Sequence, residues 1–168
     1  DMSFTEGSYE NALITLYENM GYQHLYGPDI ERDYYVPFYE EQVLGSLTTI
    51  NPSKPQTAIH EAIAKLKDID TGSLTQKNEL FMDYLQHGIE VSYFDGKEQR
   101  NEIVYLIDYE HINRNDFQIA NQWTFVENSE KRADMIVFIN GLPLVVIELK
   151  SPSREETDAS EAYLQRRN

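Results

Sequence analysis

Three residues in one short stretch have the types and spacing that chemistry requires. Asp134 opens an apolar run over 134–139, Glu148-Leu149-Lys150 closes a second over 144–150, and Asn140-Gly141 lies between them. Asn-Gly between β-branched apolar runs predicts a hairpin. Glu148 and Lys150, two apart on a strand, project from one face. The runs between these charges are continuously apolar, as expected of strands buried on both faces, and an ionised group at their ends is costly unless paired or bound to metal. Two carboxylates and a strand carbonyl make a hard-oxygen site suited to Mg²⁺, which would activate a water and stabilise a pentacovalent phosphate. Lys150 could orient that water or offset developing negative charge.

Hairpin register decides whether Asp134 joins Glu148. A three-residue loop over 140–142 pairs Ile139 with Pro143 and therefore Asp134 with Glu148. A strict two-residue turn puts Asp134 opposite Ile147, on the wrong face by alternation. The longer loop or a bulge is thus a requirement of the functional reading. The competing reading is a Glu–Lys or Asp–Lys ion pair at the rim of a sheet. E-x-K alone is no signal, whereas D-x13-E-x-K on an apolar Asn-Gly hairpin is a much better one.

The surrounding elements must position these groups. Tyr9, Leu13, Leu16, Tyr17 and Met20 mark one face of a helix, with Ser8 as the expected N-cap and Gly21 just past the end. Residues 22–36 read as loop, 38–50 as a short amphipathic segment, and 58–67 and 76–87 as helices. Strands are expected over 89–94, 103–109 and 117–126, the last alternating Phe117, Ile119, Asn121, Trp123, Phe125. A further helix begins near Thr157, and the chain stops inside it. Helices first, then a mostly antiparallel sheet, then a helix predicts an α/β (α+β) fold. One domain over 1–168 is expected, as a fragment of a longer protein.

Composition narrows the classes. The 168 residues carry 14 Lys+Arg against 29 Asp+Glu, a formal charge of −15, and no cysteine. Disulfides, thiolate chemistry and cysteine metal sites are excluded, and the composition fits a cytoplasmic protein. No apolar run is long enough to span a membrane. The charge argues against autonomous tight binding of DNA. The acids lie mostly elsewhere: residues 130–154 hold Lys131, Arg132, Lys150 and Arg154 against Glu130, Asp134 and Glu148. His24, His60, His87 and His111 have no ligand spacing and read as ordinary histidines. Tyr34, Tyr35, Phe38 and Tyr39 could stack on bases, but core packing is the better reading. No G-x-x-x-x-G-K-[ST] occurs to cradle ATP.

The run from Lys131 to Pro152, with Asp134, Asn140-Gly141-Leu142-Pro143 and Glu148-Leu149-Lys150-Ser151-Pro152, closely resembles the nuclease core of type I restriction enzyme R subunits, members of the PD-(D/E)xK superfamily. The run from Asn115 to Trp123 resembles the family's preceding strand, and the first helix and residues 47–52 also fit. Ala133 departs from the pattern, standing where the family typically has proline. The resemblance implies a restriction-endonuclease-like mixed sheet flanked by helices. It implies Asp134, Glu148 and the Leu149 carbonyl as Mg²⁺ ligands and Lys150 as catalytic lysine. Glu10 matches an acidic residue on the first helix, with a solvated glutamate as the competing reading, and Gln165 matches the start of a Q-x-x-x-Y motif.

It also implies double-stranded DNA as substrate, methyltransferase and specificity subunits as partners, and ATP-driven motor domains after the nuclease. On this reading residues 1–168 alone have little or no cutting activity. A free-standing repair or junction-resolving nuclease and a non-catalytic docking module are the competing functions.

Overall fold

The computed structural model describes residues 5–70 and 74–150. Helix α1 (Glu6–Asn19) starts at Thr5, whose Oγ1 accepts the Ser8 N–H at 3.3 Å, so Thr5 and not Ser8 is the cap. Its end is a two-bond cap with Gly21 at φ 94°. The Gly21 N–H donates to Glu18 O at 2.9 Å and the Tyr22 N–H to Tyr17 O at 3.0 Å. The inward face is centred on Ile14 with Leu13 and Tyr17, while Leu16 and Met20 are exposed. The predicted face is therefore rotated, because the apolar spacing could not separate Leu13 from Leu16.

Strand β1 (Gln23–Tyr26) lies in the stretch expected to be loop. Helices α2 (Glu40–Ile50), α3 (Gln56–Lys67) and α4 (Leu74–His87) follow, then β2 (Ile89–Phe94) and β3 (Gln99–Val104). Strand β3 is mostly polar and exposed, so the apolar pattern had pointed past it to 103–109. Its turn is short: the Asp95 carboxylate accepts the N–H groups of Lys97 and Glu98, both at 2.8 Å, and the Arg100 Nε–H at 2.8 Å. Strands β4 (Phe117–Glu127), β5 (Ser129–Ile139) and β6 (Leu142–Ile147) complete the described elements.

Among the described residues, β1, β4, β5 and β6 form one sheet in that order, with β1 parallel to β4 and the remaining pairs antiparallel. The fold is mixed α/β, as expected. Helix α1 covers one sheet face through Ile14, Ile119, Met135 and Val137. The other face holds Ala120, Trp123, Ala133, Ile136 and Phe138, under Ile30 and Tyr39. A larger core lies among α2, α3, α4 and the β2–β3 ribbon, and Leu142 of β6 reaches into it. The sheet and the helical layer thus share the tip of the Asn-Gly hairpin. There buried Asn140 donates to Leu106 O at 2.8 Å and accepts the Asp116 N–H at 2.8 Å.

Candidate functional site

The hairpin register meets the requirement by a bulge. Asn140 and Gly141 adopt φ 53° and 78°, a two-residue turn with Ile139 opposite Leu142. That register alone would bring Asp134 to Ile147. It shifts between Val137 and Phe138: Phe138 opposes Pro143, but Val137 opposes Val145, leaving Leu144 as the extra residue. Met135 then opposes Ile147, and one further step brings Asp134 to Glu148.

At that point the chain makes a side-chain pair. Asp134 Oδ2 accepts the Leu149 N–H at 2.9 Å. Glu148 is hydrogen-bonded to Asp134, and burial, that bond and the neighbouring charge together raise its pKa above the ordinary carboxylate value. Lys150 is exposed, and among the described residues no ion pair joins it to either acid. The rim ion pair of the competing reading does not form. The neighbouring acid instead favours the neutral form of Glu148.

The strands around the pair depart from regular alternation. In β4, Asn121 and Gln122 are consecutive, yet both donate to Glu10 on α1: Asn121 Nδ2 to Oε1 at 2.5 Å and Gln122 Nε2 to Oε2 at 3.1 Å. Trp123 then packs with Ala120 on the opposite face. The break is at Gln122, whose φ is 54°. In β5 the corresponding break falls between Ala133 and Ile136, which share a core. The register Asn121–Met135 and Trp123–Ala133 sets Gln122 opposite Asp134.

The structure therefore brings Asp134, Glu148 and Leu149 together and ties Glu10 to the strand residue that faces Asp134. It does not gather Glu10 into one cluster with the pair: among the described residues no three His, Cys, Asp or Glu side chains stand close enough to hold a metal ion. Gln165 and the helix expected from Thr157 lie outside the described residues. Sequence reasoning passed over Asn121, Gln122 and His24, whose Nε2 lies 2.7 Å from Asn121 Oδ1. The available signal was Asn121 itself, a polar residue in the apolar row of a strand.

Among the described residues no helix is long and apolar enough to cross a membrane. The model of the type I restriction enzyme R protein N terminus family matches residues 3–168. The HindI type I restriction enzyme endonuclease subunit of Haemophilus influenzae is 31% identical over 95% of this chain, which spans 16% of that subunit. The EcoprrI endonuclease subunit of Escherichia coli is 27% identical over 87% of the chain, covering 44% of that protein. The chain thus corresponds to a minor part of the relatives it matches. With the match running nearly end to end, the chain belongs to the family of type I restriction enzyme R protein N termini.

Proposed function

We propose that this domain is the DNA-cutting module of a type I restriction R subunit with a PD-(D/E)xK core, an Mg²⁺-dependent endonuclease hydrolysing phosphodiester bonds of double-stranded DNA. ATP-driven translocation by further domains of the subunit would deliver the DNA, and methyltransferase and specificity subunits would choose it. The observation that supports this reading is the bulge at Leu144, which sets Asp134 opposite Glu148 and so assembles two acids where alternation from the turn would separate them.

The donor set fits Mg²⁺. Asp134 and Glu148 are neighbouring acids, and a divalent cation held between them would relieve the repulsion of two bare like charges. Asp134, Glu148 and the Leu149 carbonyl would hold the ion, which when bound supplies an activated water and charge stabilisation at phosphorus. Asp134 is kept in orientation by the Leu149 N–H. Exposed Lys150 is free to hold the attacking water or to meet charge developing on the phosphate. Glu10 and Gln165 act as accessory groups. The net charge of −15 leaves DNA grip to the motor and partner subunits.

The test is replacement of Asp134, Glu148 or Lys150 by alanine in the full-length subunit. Each variant is expected to lose DNA cleavage and keep ATP hydrolysis. Cleavage retained at wild-type rate in any of them would remove that residue from the site, and retention in all three would overturn the reading.

A further inference from the structure

Glu10 is held in an unusual way. A carboxylate that merely docks a helix on a sheet needs one donor, and regular alternation would offer one. Here two consecutive residues of β4 each give an amide N–H₂ to a different Glu10 oxygen. The arrangement requires Gln122 at φ 54°, a left-handed conformation that a residue with a side chain adopts only under strain. It also requires glycine at position 27, because a Cβ there would stand 2.2 Å from the Gln122 carbonyl oxygen. Strain of this kind, kept by its surroundings, is a feature of functional sites.

The orientation of the amides follows from their partners. A carboxylate only accepts, so Nδ2 of Asn121 faces Glu10 and its Oδ1 faces His24. The His24 Nε2 therefore donates, at 2.7 Å, and prevents the Asn121 amide from turning over. On the other side the Gln122 Oε1 accepts from Arg132 Nη1 at 3.4 Å. Each Glu10 oxygen keeps a lone pair beyond the one its amide occupies. Gln122 is the cross-strand neighbour of Asp134, so the carboxylate fixed by Gln122 is bound to the residue next to the acid pair.

We propose that Asn121 and Gln122 are positioning residues that lock the Glu10 carboxylate on the strand adjoining Asp134, as a fixed outer acceptor for water in the coordination sphere of a bound divalent cation. This rests on the reading of Asp134 and Glu148 as the metal pair. Groups that orient ligands in this way typically contribute about 10–100-fold to metal affinity.

The experiment measures Mn²⁺ binding to the full-length subunit by electron paramagnetic resonance, without nucleotide or DNA, together with calorimetric unfolding. The site is defined as the binding lost in Glu148→Ala. Gln122→Asn keeps a residue that tolerates positive φ but is one methylene shorter, so its amide falls short of Glu10. It is expected to weaken this binding about 10–100-fold while the unfolding temperature stays at the wild-type value. The exchange of Glu10→Gln with Asn121→Asp keeps a hydrogen bond between the two positions and moves the negative charge onto the strand. Wild-type unfolding with weakened Mn²⁺ binding supports the proposal. Wild-type Mn²⁺ binding in either Gln122→Asn or the exchange overturns it and leaves the acid pair standing. Wild-type binding in Glu148→Ala overturns the acid pair, and the proposal with it.

Discussion

Gly141 and Tyr39 are joined backbone to backbone: the Gly141 carbonyl accepts the Tyr39 N–H at 2.9 Å, just before the first turn of α2. The hairpin tip is therefore seated under a helix start. A Cβ at position 141 would stand 2.7 Å from both the Tyr39 oxygen and the Val43 nitrogen, at a φ of 78°. Gly141→Ala is expected to destabilise the fold by about 2–5 kcal/mol, the sum of left-handed strain and overpacking. A lowered denaturation midpoint in urea with unchanged m value checks this.

Leu144 is the residue that sets the register. Insertion of one residue after Leu144, with the single bulge retained, should bring Asp134 to Ile147, abolishing Glu148-dependent metal binding and cleavage. Leu144→Met, which preserves length, should cost less than about 1.5 kcal/mol and leave binding intact. Isothermal titration with Mn²⁺ on both variants separates length from side chain.

Glu148 has a raised pKa in the folded state, from burial first, then its hydrogen bond to Asp134 and that residue's charge. A carboxyl raised on folding favours the native state while it is protonated. That contribution is complete below the ordinary value of 4.5 and is lost as pH rises through the folded value. Glu148→Gln stays neutral throughout. In chelator at pH 7.5 it should unfold at the same or a higher temperature than wild type, with the difference closing below about pH 4.5. A variant less stable at pH 7.5 than wild type would contradict the raised pKa of Glu148.

Asp95 is shifted the other way, to about 2, by the N–H of Glu98, the Arg100 side chain and the N–H of Lys97. Its contribution is present above the usual carboxylate pKa near 3.9 and is lost as pH falls through about 2. Asp95→Ala should lower stability at neutral pH and flatten the acid limb of the stability curve. Denaturation midpoints between pH 2 and 6 measure it.

Arg32 stacks on Trp123 with its Cζ 3.6 Å from the ring centroid and donates to the Thr124 carbonyl. Its Nε and Nη1 are buried without hydrogen-bond partners, and burial lowers its pKa. The Trp123 ring face and the Thr124 carbonyl together hold the guanidinium. Arg32→Ala should cost about 1–2 kcal/mol and uncover the chain's single tryptophan. A red-shifted emission spectrum reports the second effect directly.

The parts of this fold written in hydrophobic pattern were legible. The Asn-Gly turn, the paired apolar strands and the need for an extra residue between turn and acids all followed from spacing. The location of that residue did not, because Leu144 is as apolar as its neighbours and a bulge leaves no compositional mark. Strand β1, with the sequence Gln23-His24-Leu25-Tyr26, and strand β3, polar along most of its length, gave no alternation to detect. The break at Gln122 was hidden for a different reason. Nothing in a glutamine announces a left-handed backbone, so Trp123 was assigned to the face of Ile119 although it packs on the other.

The two-residue turn and the single bulge together give β6 a reading frame. Exchanges of one apolar residue for another along 142–147 are errors of spelling, absorbed as lost packing. An insertion there is an error of frame, and it moves Glu148 to the wrong partner while leaving a plausible strand behind. For anyone redesigning or aligning such domains, the quantity to preserve between Asn140 and Glu148 is the number of residues before their identity.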